Sequence, residues 1–232
     1  MCKKMKINII LFALFLFCLS GLYSLEITEI EAAGWYRGVH TRSLDFVNEF
    51  SAIGTIELED KYTFKGGLAY GRSLSGNDIN TLVNATWSPF EHVPLGFSVT
   101  YFYNGLPQYE THTNSIFPYV SWEAKRYGFS VGCTFRFTRF FRESAQYEPV
   151  LTFNGYVNFI NIDAICIGFG FGNYDTFHVG SVASFSPKLY AKIRLDDNWQ
   201  ITNDIEVMQS GADGLTTTLY GIAFRTGVKY SW

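Results

Sequence analysis

Beyond residue 24 the sequence has no apolar run approaching the 18 or more residues that a membrane-spanning helix needs. Charge is also scarce: 17% of the 232 residues are Asp, Glu, Lys or Arg, where a soluble domain carries about a quarter. No basic cluster accompanies the formal net charge of −3, so the polyanionic surface of a nucleic acid finds no counterpart. There is no phosphate-binding glycine loop, no Cys-x-x-Cys and no carboxylate pair placed for acid–base work. The four histidines, His40, His92, His112 and His178, are scattered, and none neighbours a Ser nucleophile with an orienting carboxylate. The nearest approach to a hydrolytic site is His112 among Thr111, Thr113 and Ser115. No cofactor and no metal site is expected.

The one long apolar run is at the start. Met1-Cys2-Lys3-Lys4-Met5-Lys6 is basic, Ile7 to Leu19 is apolar apart from Asn8, and Ser20, Gly21 and Ser24 follow. A basic segment, a short apolar segment and a small-residue zone make a secretory signal peptide over 1–24, with Ser20 as the alternative cleavage point. Cys18 is a candidate lipidation site, against which the bulky Phe17 before it argues. A single domain, 25–232, remains, without Lys3, Lys4 and Lys6 and so more acidic than the whole chain. It keeps two cysteines, Cys133 and Cys166.

Aromatic residues are abundant, 18% with 22 Phe and 15 Tyr, more than a soluble core of this size uses. They fall in segments of period two, the pattern of strands with unlike faces. Twelve such segments are read, at 26–37, 43–59, 62–72, 79–89, 95–104, 112–124, 127–139, 149–160, 164–174, 181–195, 199–209 and 217–232. Every second connection is tight: Asp60-Lys61, Pro89 to Pro94, Lys125-Arg126, Asn161 to Asp163 and Asp196 to Asn198. Most others are longer and polar. The last segment runs Arg225-Thr226-Gly227-Val228-Lys229-Tyr230-Ser231-Trp232. With Arg225, Gly227, Tyr230 and Trp232 in their places it resembles the C-terminal assembly signal of bacterial outer-membrane β-barrel proteins. The resemblance covers the architecture of 25–232 and names no subfamily. It implies an all-β closed antiparallel transmembrane barrel in the outer membrane, and the barrel-assembly machinery as a partner of the last strand. Twelve strands are expected. Ten would result if 43–59 were a plug or 164–195 held one strand fewer, and eight is the smallest alternative.

Alternation assigns two faces. One carries Phe97, Val99, Ile116, Val120, Phe129, Val131, Leu151, Ile165, Phe169, Ile222 and Phe224; the other carries Ser130, Thr134, Thr152, Asn154, Gly168, Gly170, Thr202 and a set of charges. Twelve strands enclose more space than side chains can fill, whereas about eight can be filled, so the apolar face is expected to point outward to lipid. Cys133 then faces lipid and Cys166 the lumen, and no disulfide is expected. Trp87, Trp122, Trp199 and Trp232 fall at the tight-turn ends, as an interfacial girdle would; Trp35, Tyr36, Tyr70, Tyr101, Tyr103, Phe140, Tyr174 and Tyr220 fall at the other. The lumen charges are Arg136, Lys188, Lys192, Arg194, Asp204, Glu206, Arg225 and Lys229. The cations of the tenth segment are expected to meet Asp204 and Glu206 of the eleventh, and Glu29 and Glu31 to meet Arg225 and Lys229 on closure. Three functions follow in order: a narrow passive channel for small hydrophilic solutes, a non-conducting surface barrel whose loops bind a partner, and an outer-membrane hydrolase.

Overall fold

The computed structural model describes residues 27–40, 44–72, 76–140, 144–174, 176–177, 185–210 and 218–232. The expected signal peptide over 1–24, Cys18, and the side chains of His40, His178 and Tyr220 lie outside the described residues. The chain forms twelve strands: β1 (Ile27–His40), β2 (Leu44–Leu58), β3 (Tyr62–Arg72), β4 (Asn77–Trp87), β5 (Leu95–Leu106), β6 (Thr111–Glu123), β7 (Tyr127–Arg139), β8 (Gln146–Ile162), β9 (Ile165–Gly172), β10 (Lys188–Arg194), β11 (Trp199–Ser210) and β12 (Thr218–Ser231). Each pairs antiparallel with its neighbours in sequence, and β1 pairs with β12, closing the barrel. The segment 43–59 is therefore a wall strand and not a plug.

Closure removes the free sheet edges that apolar strands would otherwise present for aggregation. The alternation of the sequence becomes the pleat. Phe97, Val99, Ile116, Val120, Phe129, Val131, Leu151, Ile222 and Phe224 are exposed on the outer face, and Ser130, Thr134, Thr152 and Thr202 are buried on the inner one. Phe50, 72% exposed, has no apolar partner inside the chain sufficient to cover it, so the outer face is built for an apolar surrounding. Trp87, Trp199 and Trp232 are exposed on that face at the tight-turn end. Trp199, Tyr230 and Trp232 stack edge-on in series, with centroids 4.8 and 4.9 Å apart. Trp122 sits at the same end, half-buried.

Three departures from the expected pattern have local causes. At β2–β3 the turn centres on Glu59 and Asp60, both left-handed (φ 55° and 53°), with Lys61 N–H donating to Leu58 O at 3.2 Å; two left-handed residues give the primed turn that matches strand twist. In β6–β7 the ladder breaks between Ile116↔Phe135 and Tyr119↔Gly132, where Pro118 has no N–H to give. And β10 begins at Lys188, not at 181: Phe185 to Pro187 lie outside the strand, and 181–184 lie outside the described residues.

That last departure belongs to the largest feature of the interior. β8 continues to Gln146, but β9 stops at Gly172 opposite Asn154. Asn173 takes over the vacated ladder: its Nδ2 donates to Leu151 O at 2.7 Å and its Oδ1 accepts from Phe153 N–H at 2.9 Å. The chain then turns inward. Because Asn173 is buried and its side chain replaces a missing strand, Asn173→Ala is expected to cost about 1–3 kcal/mol, the penalty of stranding buried polar groups. The denaturant midpoint of the refolded barrel reads this, and an unchanged midpoint would mean that water fills the gap.

Candidate functional site: a crossed lumen

Apolar side chains also stand on the inner face, at Ile53, Ala69, Leu82, Phe102 and Phe117, one each from β2 to β6. They cannot reach lipid, and water is a poor neighbour for them, so they need an apolar partner inside the barrel. Phe177 is that partner. It is fully buried against Ala69, Leu82, Phe102 and Phe117, with Ile53, Tyr119 and Tyr174 packed around. Gly67 makes room: a Cβ there would stand 3.1 Å from the Phe177 ring. Asn104 Nδ2 donates to the Phe177 carbonyl at 2.9 Å. Tyr174 meets Phe117 edge-on at 5.1 Å and shares a 2.7 Å hydrogen bond with Ser130 of β7. In a ring of twelve, β9 and β3 are diametrically opposed. A segment that leaves β9 at Gly172 and seats Phe177 on β3–β6 crosses the bore.

Around Phe177 the same wall is a polar lattice. Asn80 Nδ2 donates to Glu49 Oε2 at 3.0 Å, and Asn104 to Asn80 Oδ1 at 2.9 Å. Toward the tight turns Asn84 bonds Thr100 and the Tyr119 hydroxyl, and Thr86 bonds Ser98. A cavity of about 740 Å³ opens at that end, floored by Lys65, Thr86, Ser121 and Glu123 and edged by the 88–94 connection.

The opposite wall, β9 to β12 and β1, carries the charges. Arg225 reaches Glu31 with Nη2 and Asp204 with Nη1, the latter at 3.3 Å, and lies 5.1 Å from the Trp35 ring. Lys229 pairs with Glu29. The expected meeting of β1 with β12 is thus made. Asp204 makes its close ion pair with Arg225 and also lies in the field of the β10 cations Lys188 and Lys192. Across the β10–β11 ladder it faces Tyr190, and Lys188 faces Glu206, so the expected meeting of β10 with β11 is made in part. Lys192 faces Cys166 on one side and Thr202 on the other, with its ammonium 5.6 Å from the Tyr190 ring, and Arg194 faces Gln200. Both are exposed. Gly168 lets Tyr190 lie flat on this wall, where a Cβ would stand 2.3 Å from its hydroxyl oxygen. Arg136 sits apart, at 3.1 Å from Glu148. Cys133 and Cys166 are free.

Two solved porins share this architecture. NanC aligns with a TM-score of 0.59 at 12% identity, over 88% of this chain and all of the porin. KdgM, solved with disordered oligogalacturonate, aligns with 0.55 at 12%, over 88% of this chain and 99% of its own. The translocator domain of the autotransporter NalP from Neisseria meningitidis gives 0.55 at 13%, over 99% and 98%. This is the outer-membrane β-barrel fold. At such identities the outer-membrane β-barrel likeness speaks for the fold alone; no protein-family model and no curated protein matches the sequence.

In this barrel two expected positions are corrected. Trp35 is not at an outer rim but buried on the lumen side beside Arg225, and Tyr174 is drawn inward onto Ser130. The weak hydrolytic cluster is not assembled either: His112 stacks on Tyr103 at 6.4 Å while Ser115 is buried three residues on, toward the lumen. Phe177 and Asn104 were not anticipated. Their signal was available in Leu82, Phe102 and Phe117, which break the polar phase of three successive strands.

Proposed function

We propose that the protein is a passive outer-membrane channel of narrow bore for small hydrophilic solutes. The observation that supports this reading is the unequal lining of the crossed lumen. Phe177 is seated on one wall, and the other wall presents ion pairs together with the exposed cations Lys192 and Arg194. A bore narrowed to one side and lined by charge discriminates solutes by size and sign. In this reading 1–24 directs export, the motif Arg225, Gly227, Tyr230, Trp232 is read by the barrel-assembly machinery, and Trp87, Trp122, Trp199 and Trp232 sit at the lipid headgroups.

The test is single-channel conductance of the refolded barrel in a planar bilayer, with Lys192→Glu/Arg194→Glu in parallel. Wild type is expected to conduct with a preference for anions, and the double variant to shift to cations, changing the permeability ratio severalfold without loss of the open channel. A heat-modifiable, folded barrel that carries no current would sink the channel reading and turn attention to loops that bind a partner.

A further inference from the structure

The recess that holds Phe177 is more than a resting place for one side chain. It is built on five consecutive wall strands, β2 to β6, each held in the closed ladder by its own neighbours. Its sides are Ile53, Gly67, Ala69, Leu82, Phe102 and Phe117. Among the described residues the polar group that converges on it is the Asn104 amide, which donates to the carbonyl of Phe177 and is itself held by Asn80. An apolar pocket with a single oriented donor is the form of a small-molecule site. Elsewhere this wall offers hydroxyls and amides that bond one another; here it offers a slot for a ring and a donor for an oxygen.

We infer that this recess is a lumenal binding site for solutes that carry an aromatic ring two carbons from a carbonyl or carboxylate, with Phe177 as its resident occupant. The ring takes the place of the Phe177 ring, and the oxygen takes the Asn104 hydrogen bond. Glu49 on Asn80 keeps the amide of Asn80 turned so that its oxygen receives Asn104, which leaves the second Asn104 hydrogen for the ligand. Because Phe177 is tethered, it competes at an effective concentration on the order of millimolar. A free solute therefore displaces it only when abundant, which suits a transported solute better than a tightly held one. As the class of solute carried, this rests on the channel reading; as a binding site it rests on the recess alone.

The test uses para-fluorophenylpropionamide, which copies the ring, the two carbons and the carbonyl of Phe177, and reads its fluorine NMR signal against the refolded full-length barrel in detergent. Phe177→Ala is expected to bind the probe at least tenfold more tightly than wild type, and adding Ala69→Phe, which fills the recess, is expected to abolish the gain. Propionamide, lacking the ring, should not compete. Should Phe177→Ala fail to refold, Phe177→Leu keeps the segment seated and is expected to show a smaller gain in the same direction. Equal binding by wild type and the emptied variant, or a gain that survives Ala69→Phe, overturns the site. Neither result depends on conduction, so a silent barrel that binds the probe would refute the channel and leave the site standing.

Discussion

Replacing Arg225 with Ala is expected to cost the barrel about 3–5 kcal/mol, the range for removing one partner of a buried ion pair. The guanidinium forks between Glu31 of β1 and Asp204 of β11 from its place on β12, so one side chain ties three strands across the seam that closes the sheet. All three side chains are largely shielded, at 12%, 17% and 16% exposure. Without Arg225 two carboxylates confront each other with little water between them. Lys229 supplies the internal comparison. It pairs with Glu29 on the same seam, but at 27% and 26% exposure water screens the pair, and Lys229→Ala is expected to cost only about 1 kcal/mol. Arg225→Lys should recover only part of the loss, because an ammonium cannot serve both carboxylates in a fork. Arg225→Ala combined with Glu31→Gln and Asp204→Asn should recover more, since it removes the repulsion. Denaturant midpoints of the refolded, heat-modifiable barrels order these variants. Equal losses for Arg225→Ala and Lys229→Ala would mean that the lumen is wet enough at the seam to screen both.

The seam was legible in advance because it needs only alternation and closure. Once β12 lies beside β1, Glu31 falls opposite Lys229 and Trp35 opposite Arg225 on the inner face, and the ion pairs Lys229–Glu29 and Arg225–Glu31 form diagonally across that ladder. The strands were legible for the same reason, since a side-chain period of two survives small errors at the ends. The tenth strand shows where this fails. Phe185 to Pro187 fall outside the strand, yet Ser186 N–H donates to Gly172 O at 2.8 Å and Pro187 O accepts from Val207 N–H at 2.9 Å, so they still bond both neighbouring strands, while Phe177 earlier in the same connection is buried in the bore. Period two records which residues could pair, not whether the chain at that point is in the wall or in the bore. The second missed level is tertiary. That Asp204 gives its close ion pair to Arg225, while Lys188 and Lys192 act on it from farther off, depends on which of two flanking strands offers the longer and better aimed donor, and register alone leaves both in reach. The inward segment needed a different question of the sequence: why Leu82, Phe102 and Phe117 occupy polar-phase positions in adjacent strands.

The wall itself makes the other large prediction, in which one substitution has opposite signs at two glycines. Gly132 lies across the β6–β7 ladder from Tyr119. A Cβ built on it would stand 2.1 Å from Pro118 O and 2.7 Å from Tyr119 Cα. Both are backbone atoms, so no rotamer change relieves the clash; the strands must part. They are already weakly joined there, because Pro118 gives no hydrogen bond and the ladder is interrupted on that stretch. Gly132→Val is therefore expected to cost well beyond the about 1–3 kcal/mol of ordinary overpacking, and to prevent recovery of a heat-modifiable barrel on refolding. Gly66 faces outward on β3, paired with Gly54 of β2, and a Cβ at either position meets nothing within 4 Å. Gly66→Val adds a β-branched side chain to a strand and apolar area to a lipid face, and removes backbone freedom from the unfolded chain, each a stabilising change. Its denaturant midpoint in lipid is expected to rise, by about 0.5–1 kcal/mol from the backbone effect alone. In detergent-free lipid the two variants separate the close approach of strands from the mere presence of glycine. A Gly132→Val barrel that refolds at the wild-type midpoint would show that β6 and β7 are farther apart than their register implies, and would move the weak seam of this wall elsewhere.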